Sequence, residues 1–171
     1  MKGQIYQALF ESQNADYQKL GKDALKTAWE AYQQVIKLDD KKKFEKDLKA
    51  QYSNLAIDFT NQGVIHYEAQ DYNGALAAFK QVLEINASPY GSQKIDTAVI
   101  FNAGITAQFA NNLPEAERLY KLALSYNYEP SKTYTALSNV LITQSRKARD
   151  AGDEAKAKAK QEEAVVPKYP N

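Results

Sequence analysis

The sequence predicts an all-α protein, an α-solenoid of about eight helices in antiparallel pairs, and three observations predict it. First, apolar and small residues recur at helical spacings of four and three: Phe59, Gly63 and His66 on one stretch, then Ala75, Phe79 and Val82 on the next, with a short polar turn at Gln70 and Asp71 between them. Second, the later pattern repeats as Ala28-Tyr32-Val35, Ala75-Phe79-Val82, Ala116-Tyr120-Ala123 and Ala157-Gln161-Ala164, with first members 47, 41 and 41 residues apart. Self-similarity of this kind is the signature of a helical repeat array. Third, Gly63 and Ala75 are small where two helices of a tight hairpin must approach, and Phe79 is large where a neighbouring hairpin needs filling. Neither helix can bury its apolar face alone, so the unit requires copies of itself.

The elements follow in order. Residues 2–12 read as a helix with Ile5, Leu9 and Phe10 as its apolar side. A polar link containing Gly21 leads to a helix from Asp23 to Leu38, whose wide apolar stripe suits two neighbours. Asp39 and Asp40 stop it. The run Lys41-Lys42-Lys43 has acidic residues on both sides and reads as a solvated helix start, not a nucleic-acid patch. From Lys43 to Gln70 only Gly63 interrupts, which predicts one unusually long helix with Phe44, Leu48, Tyr52, Leu55, Ile57 and Phe59 as its apolar series. Asp71 is positioned to cap the helix carrying Ala75 and Phe79. Asn86–Ser92, with Pro89 and Gly91, is a loop. A helix from Ile95 to Ala110 follows, and Asn112, Pro114 and Glu115 form a helix start for the next, which runs to Asn127. Pro130 and Ser131 open a helix reaching Arg149. Gly152 ends it, Asp153 caps a last helix over Glu154–Val165, and Pro167 and Pro170 close the chain. Lys156, Lys158 and Lys160 read as a solvated face of that last helix, and Gln161 as the polar substitute that suits a terminal repeat.

Here the chain resembles the tetratricopeptide repeat family, whose pattern is W-x2-L-G-x2-Y, then A-x3-F-x2-A, then Pro. The glycine is matched by Gly63 and Gly104, with Ser138 in its place in the fourth copy, and Gly3 with Tyr6 matches the G-x2-Y half in a first copy. Phe59, Ile100 and Tyr134 stand for the Trp, and the Leu before the Gly occurs only as Leu137. The resemblance implies a single domain over residues 1–171: a divergent first repeat over 1–40, and repeats near 56–89, 97–130 and 131–171, wound as a right-handed superhelix. It also implies a chain that starts inside a repeat, as an excerpt of a longer protein would; the other reading of residues 2–12 is a divergent N-terminal helix.

Composition bounds the function. With 22 Lys and Arg against 21 Asp and Glu, the net charge is +1, which gives no electrostatic case for nucleic acid or an anionic membrane. The absence of cysteine excludes disulfides and thiolate metal sites. The opening residues lack the apolar segment of a signal peptide, and the most apolar run, Ala98–Ala110, is broken by Asn102 and Gln108, so no membrane span is expected. A soluble protein, cytoplasmic or periplasmic, is expected. The absence of Cys with abundant Tyr, Asn, Gln and Lys leans toward a bacterial origin.

No constellation predicts catalysis, a metal or a cofactor. His66 is the single histidine and stands at a helix-contact position, where it is expected to hydrogen-bond inside the hairpin. Adjacent residues on a helix point about 100° apart, so neither Asp39-Asp40 nor Glu162-Glu163 is expected to converge on one substrate atom. What remains is a surface. In the family, first helices of successive repeats line a concave groove for a peptide or partner helix. By resemblance the lining here is Thr60, Val64, Tyr67 and Glu68 in the second copy, Phe101, Ile105, Gln108 and Phe109 in the third, and Lys132, Thr135, Asn139 and Ile142 in the fourth. The family's terminal-carboxylate clamp is matched only at Asn102 and Lys132; Thr60, Val64 and Ala136 replace the rest. The lining is instead largely apolar, which suits an apolar peptide or amphipathic helix. Two functions follow as expectations: a non-catalytic scaffold binding a partner protein segment, or a structural assembly module whose ends stack, through the Ile5, Leu9 and Phe10 face, on other copies or on a longer repeat array.

Overall fold

The computed structural model describes residues 2–14, 16–17 and 23–165. Gly21, Pro167 and Pro170, given structural roles above, lie outside these residues. Among the described residues the secondary structure is all-helical. Eight helices are bounded among the described residues, beside helical residues 16–17: α1 Lys2–Glu11, α2 Ala24–Leu38, α3 Glu45–Glu68, α4 Tyr72–Ala87, α5 Thr97–Phe109, α6 Leu113–Ser125, α7 Pro130–Asp150 and α8 Glu154–Val165. The helix ends follow from local chemistry. Asp39 ends α2 and then starts α3, its carboxylate accepting from the N–H groups of Lys43 (2.9 Å) and Phe44 (2.8 Å). Asp96 caps α5 by accepting from the Val99 N–H at 3.0 Å. In the loop before it, Gly91 lies so close to the Ile85 carbonyl that a β-carbon there would overlap it.

The chain divides into two compact units, residues 1–65 with 78–95, and residues 66–77 with 96–171. In the first, α1 packs on α2, and its buried face is Gly3 and Gln7, not the expected Ile5 side. Ile5 is 63% exposed, while Leu9 and Phe10 are half-buried. The reason is polar. Gln7 donates through Nε2 to Asp58 and accepts through Oε1 from the Tyr32 hydroxyl (3.0 Å), which ties α1 to α2 and α3. Burial raises the Asp58 carboxyl above its ordinary range, against the lowering effect of the Gln7 bond. Tyr52 is fully buried between Trp29 (ring centroids 5.1 Å) and Tyr90 (5.7 Å). Of the predicted apolar series on α3, Leu48, Tyr52, Leu55 and Phe59 are core, but Phe44 and Ile57 are exposed. The Phe79 ring lies against Gly63 of its own hairpin, where a β-carbon would sit 2.8 Å from it. Filling of a neighbouring hairpin is therefore not needed to account for its size.

In the second unit α5 packs on α6, α6 on α7, and α7 on α8. One turn occurs three times. The N–H of Asp71 bonds to the His66 carbonyl (2.8 Å), that of Asn112 to Ala107 (2.8 Å) and that of Asp153 to Ala148 (2.9 Å). The residue before each, Gln70, Asn111 and Gly152, has positive φ (60°, 58° and 79°), which turns the chain out of one helix. Each capping side chain accepts from the N–H three residues on: Gly74 (3.0 Å), Glu115 (3.4 Å) and Lys156 (3.0 Å). The turns stand 41 residues apart.

This turn period aligns the last helix pair differently from the expected register. Forty-one residues after Gly63 comes Gly104, and 41 after that comes Ser145, not Ser138. Ser145 is buried and donates through Oγ to the Ala157 carbonyl at 2.7 Å, while Ser138 is half-buried and donates to the Ala164 carbonyl at 3.0 Å. Leu141, fully buried, takes the place matched to Phe59 and Ile100, where Tyr134 was expected. The shift arises because α7 has 21 residues against 13 in α5 and begins about two turns early.

A candidate partner-binding surface

The second unit carries an aromatic cluster at the surface. Tyr67 stands in the last turn of α3, Tyr72 opens α4, and Phe109 ends α5. Tyr72 and Phe109 stack with centroids 5.1 Å apart and an interplanar angle of 21°. Tyr67 meets both edge-on, at 5.6 Å from Tyr72 and 5.9 Å from Phe109. These are favourable aromatic geometries. Yet Phe109 remains 56% exposed and Tyr67 36%. The turn that carries Tyr67 and Tyr72 is fixed by Asp71, whose Oδ1 accepts from the Gly74 N–H and whose Oδ2 lies 2.8 Å from His66 Nδ1. Gly74 is glycine for a local reason: a β-carbon there would run into the Asp71 carboxylate and the His66 ring. His66 thus hydrogen-bonds within the hairpin, and about two-thirds of its side chain is covered.

Beneath the cluster, Tyr120 is buried and donates to Gln108 Oε1 at 2.9 Å. Burial, with the nearby Tyr67 phenol adding to it, raises the Tyr120 pKa.

Only part of the sequence-predicted lining comes together. Tyr67 and Phe109 touch through their rings. Glu68 is exposed beside Tyr67 in sequence. Phe101 is buried (3% exposed), enclosed by Tyr120 and Tyr128 and covered by the Lys132 ammonium at 4.9 Å from its ring centre, so its ring belongs to the core and not to an open groove. Lys132 also pairs with Glu129 at 2.9 Å. Gln108 is committed to Tyr120, and Ile105 is half-buried. Ile142 is 38% exposed and follows Phe101 by the 41-residue period, whereas Lys132 and Thr135 lie in the additional turns of α7. Thr135 and Asn139 are exposed and line a separate open cleft of about 900 Å³ between α6, α7 and α8, with Leu124 and Tyr134 on its walls. In the first unit, Val64 is 44% exposed, and Thr60 turns its hydroxyl back to the Ala56 carbonyl at 2.8 Å.

Sequence reasoning missed Tyr72. Its signal was available: an aromatic residue directly after a capping aspartate, five residues from Tyr67 across a tight turn. Among the described residues no group of His, Cys, Asp and Glu could hold a metal ion, and no helix is long and apolar enough to cross a membrane. No family model, no curated protein and no solved structure matches the chain.

Proposed function

We propose that the protein is a non-catalytic interaction scaffold, an α-solenoid of the tetratricopeptide repeat kind, that binds an apolar peptide or amphipathic helix of a partner protein. The observation that carries this reading is the Tyr67, Tyr72 and Phe109 cluster. Nothing in the repeat requires aromatics there. One period after Tyr67 stands Gln108, and two periods after it Arg149; one period after Phe109 stands Asp150, and after Tyr72 stands Leu113. Large aromatic area left half in water is costly unless something covers it, and such rigid anchors dominate binding energy at interfaces. Extended and helical segments are both bound by aromatic and aliphatic surfaces of this type.

The test is capture from lysate of the source organism with wild-type bait beside a Tyr67→Ser, Phe109→Ser double variant. A partner bound by the first bait and lost from the second supports the reading, and equal capture by both sinks it. A second reading, a structural assembly module with no dedicated groove ligand, is favoured by Ile5, 63% exposed on α1. It expects the double variant to associate normally and Ile5→Ser to reduce self-association in sedimentation.

A further inference from the structure

The last helix keeps the geometry of its predecessors but not their means of attachment. The second helix α6 buries Leu113, Ala116, Leu119, Tyr120 and Ala123, whereas α8 buries Ala157 alone. One period after Leu119 stands Lys160, and one period after Tyr120 stands Gln161. Both substitutes are polar, and both have polar partners. Lys160 Nζ lies 2.8 Å from both carboxylate oxygens of Glu117 on α6, and 3.2 Å from Glu163. Glu163 in turn pairs with Lys121, which bonds to Glu117 at 2.6 Å and closes a ring of four charges across α6 and α8. Gln161 accepts from Arg149 at 3.2 Å. The Lys160 and Glu117 side chains are only 21% and 14% exposed, so this pair is better shielded than the ordinary surface pair, and salt acts mainly on the charges set free in water when it opens. Burial alone would raise the Glu117 carboxyl, but its bonds to Lys121, Lys160 and Gln144 outweigh that and hold it below the usual range.

We propose that α8 is an electrostatically latched helix: it docks and undocks from α7 and α6 as a unit, with the Lys160–Glu117 contact as the catch, so that ionic strength sets how much of it is closed. Helices that bury little apolar surface open at lower free energy than the global transition. Beside the Lys160–Glu117 contact, the Lys121–Glu163 pair also joins α6 to α8 and responds to salt, and Arg149 bonds to Gln161, whereas the Ser145 and Ser138 hydroxyls on the backbone carbonyls of α8 are neutral and do not. Opening would uncover Leu141 and Ala148 of α7, which are buried in the closed form.

Hydrogen exchange followed by mass spectrometry tests this on the full chain. Peptides covering α8 and α6 are compared at about 0.02 M and about 0.5 M NaCl, between which the Debye length falls from about 20 Å to about 4 Å. The expected result is α8 exchange faster by about fivefold in high salt with α6 unchanged. Lys160→Leu combined with Glu163→Gln, which installs the residue that α6 has at this place and removes the Lys121 pair, should leave α8 protected equally at both salts. Lys160→Gln combined with Glu163→Gln should leave it fast at both. Exchange of α8 and α6 at one common rate, a separate α8 opening indifferent to salt, or a salt response that survives the Lys160→Leu, Glu163→Gln double variant would each overturn the proposal.

Discussion

The Tyr120 ring occupies the space that a side chain on Gly104 would need, its nearest carbon 2.8 Å from where a β-carbon would be built. Tyr120 cannot move aside, because its hydroxyl is held by Gln108 at 2.9 Å and its ring lies 5.5 Å from that of Phe101. Gly104→Leu should therefore lower unfolding free energy by about 1–3 kcal/mol despite the better helix propensity of leucine. Urea denaturation checks this through the midpoint; an unchanged midpoint would show that the ring gives way.

The alignment by turns makes its own prediction. Ser145 is 4% exposed and bonded to the Ala157 carbonyl, whereas Ser138 is only half-buried. Ser145→Leu should destabilise more than Ser138→Leu, and Ser145→Ala should cost about 1 kcal/mol through the lost hydrogen bond. The reverse order of the two leucine variants in thermal melts would align Ser138, and not Ser145, with Gly104.

Asp58 and the latch carboxylates pull stability in opposite directions with pH. The Asp58 carboxyl is raised by burial, so the folded protein binds its proton more readily than the unfolded chain does. Its contribution is best below the ordinary aspartate range and is lost as pH rises through the raised value. Glu117 and Glu163 are lowered despite burial, through Lys121 and Lys160, so theirs is present at neutral pH and lost as pH falls below the ordinary glutamate range. Asp58→Asn keeps an acceptor for Gln7 and removes the charge. The variant should equal or exceed wild type in urea midpoint at neutral pH, with the advantage vanishing once pH drops below the ordinary carboxylate range. A deficit that grows with pH would contradict this sign.

At the first turn the capping role and the histidine contact are separable. Asp71→Ala loses the bond from the Gly74 N–H and the His66 partner together, and should cost about 1 kcal/mol or more. His66→Ala loses only a half-exposed pair and should cost less than about 1 kcal/mol. Equal losses in chemical denaturation would mean that the cap contributes nothing beyond the pair.

Much of this architecture was legible because its signals are local. The eight helices fall where periodicity, Asp71, Asn112, Pro130 and Asp153 put them, within about two residues. What sequence could not supply was side-chain direction across distances of tens of residues. Gln7 looks like a solvent residue on α1 and is instead 4% exposed, because its partners Asp58 and Tyr32 lie 51 and 25 residues away. Phe101 reads as groove lining by spacing, yet Tyr128 and Lys132 cover it from the loop and the start of the next helix. Lys160 reads as one of three solvated lysines. Only Lys156 and Lys158 are exposed, since Glu117 meets Lys160 from another helix.

The recurrence of one turn at Gln70, Asn111 and Gly152 gives this part of the chain something like a reading frame. A left-handed residue, a capping side chain and a buried small residue must arrive in fixed order, so an insertion or deletion between turns is tolerated by its effect on phase and not by its size alone. Loss of a whole 41-residue period joins Asn111 to Asp153 and keeps a left-handed residue ahead of a cap, whereas loss of a single residue inside α5 rotates every later contact of that helix by about 100°.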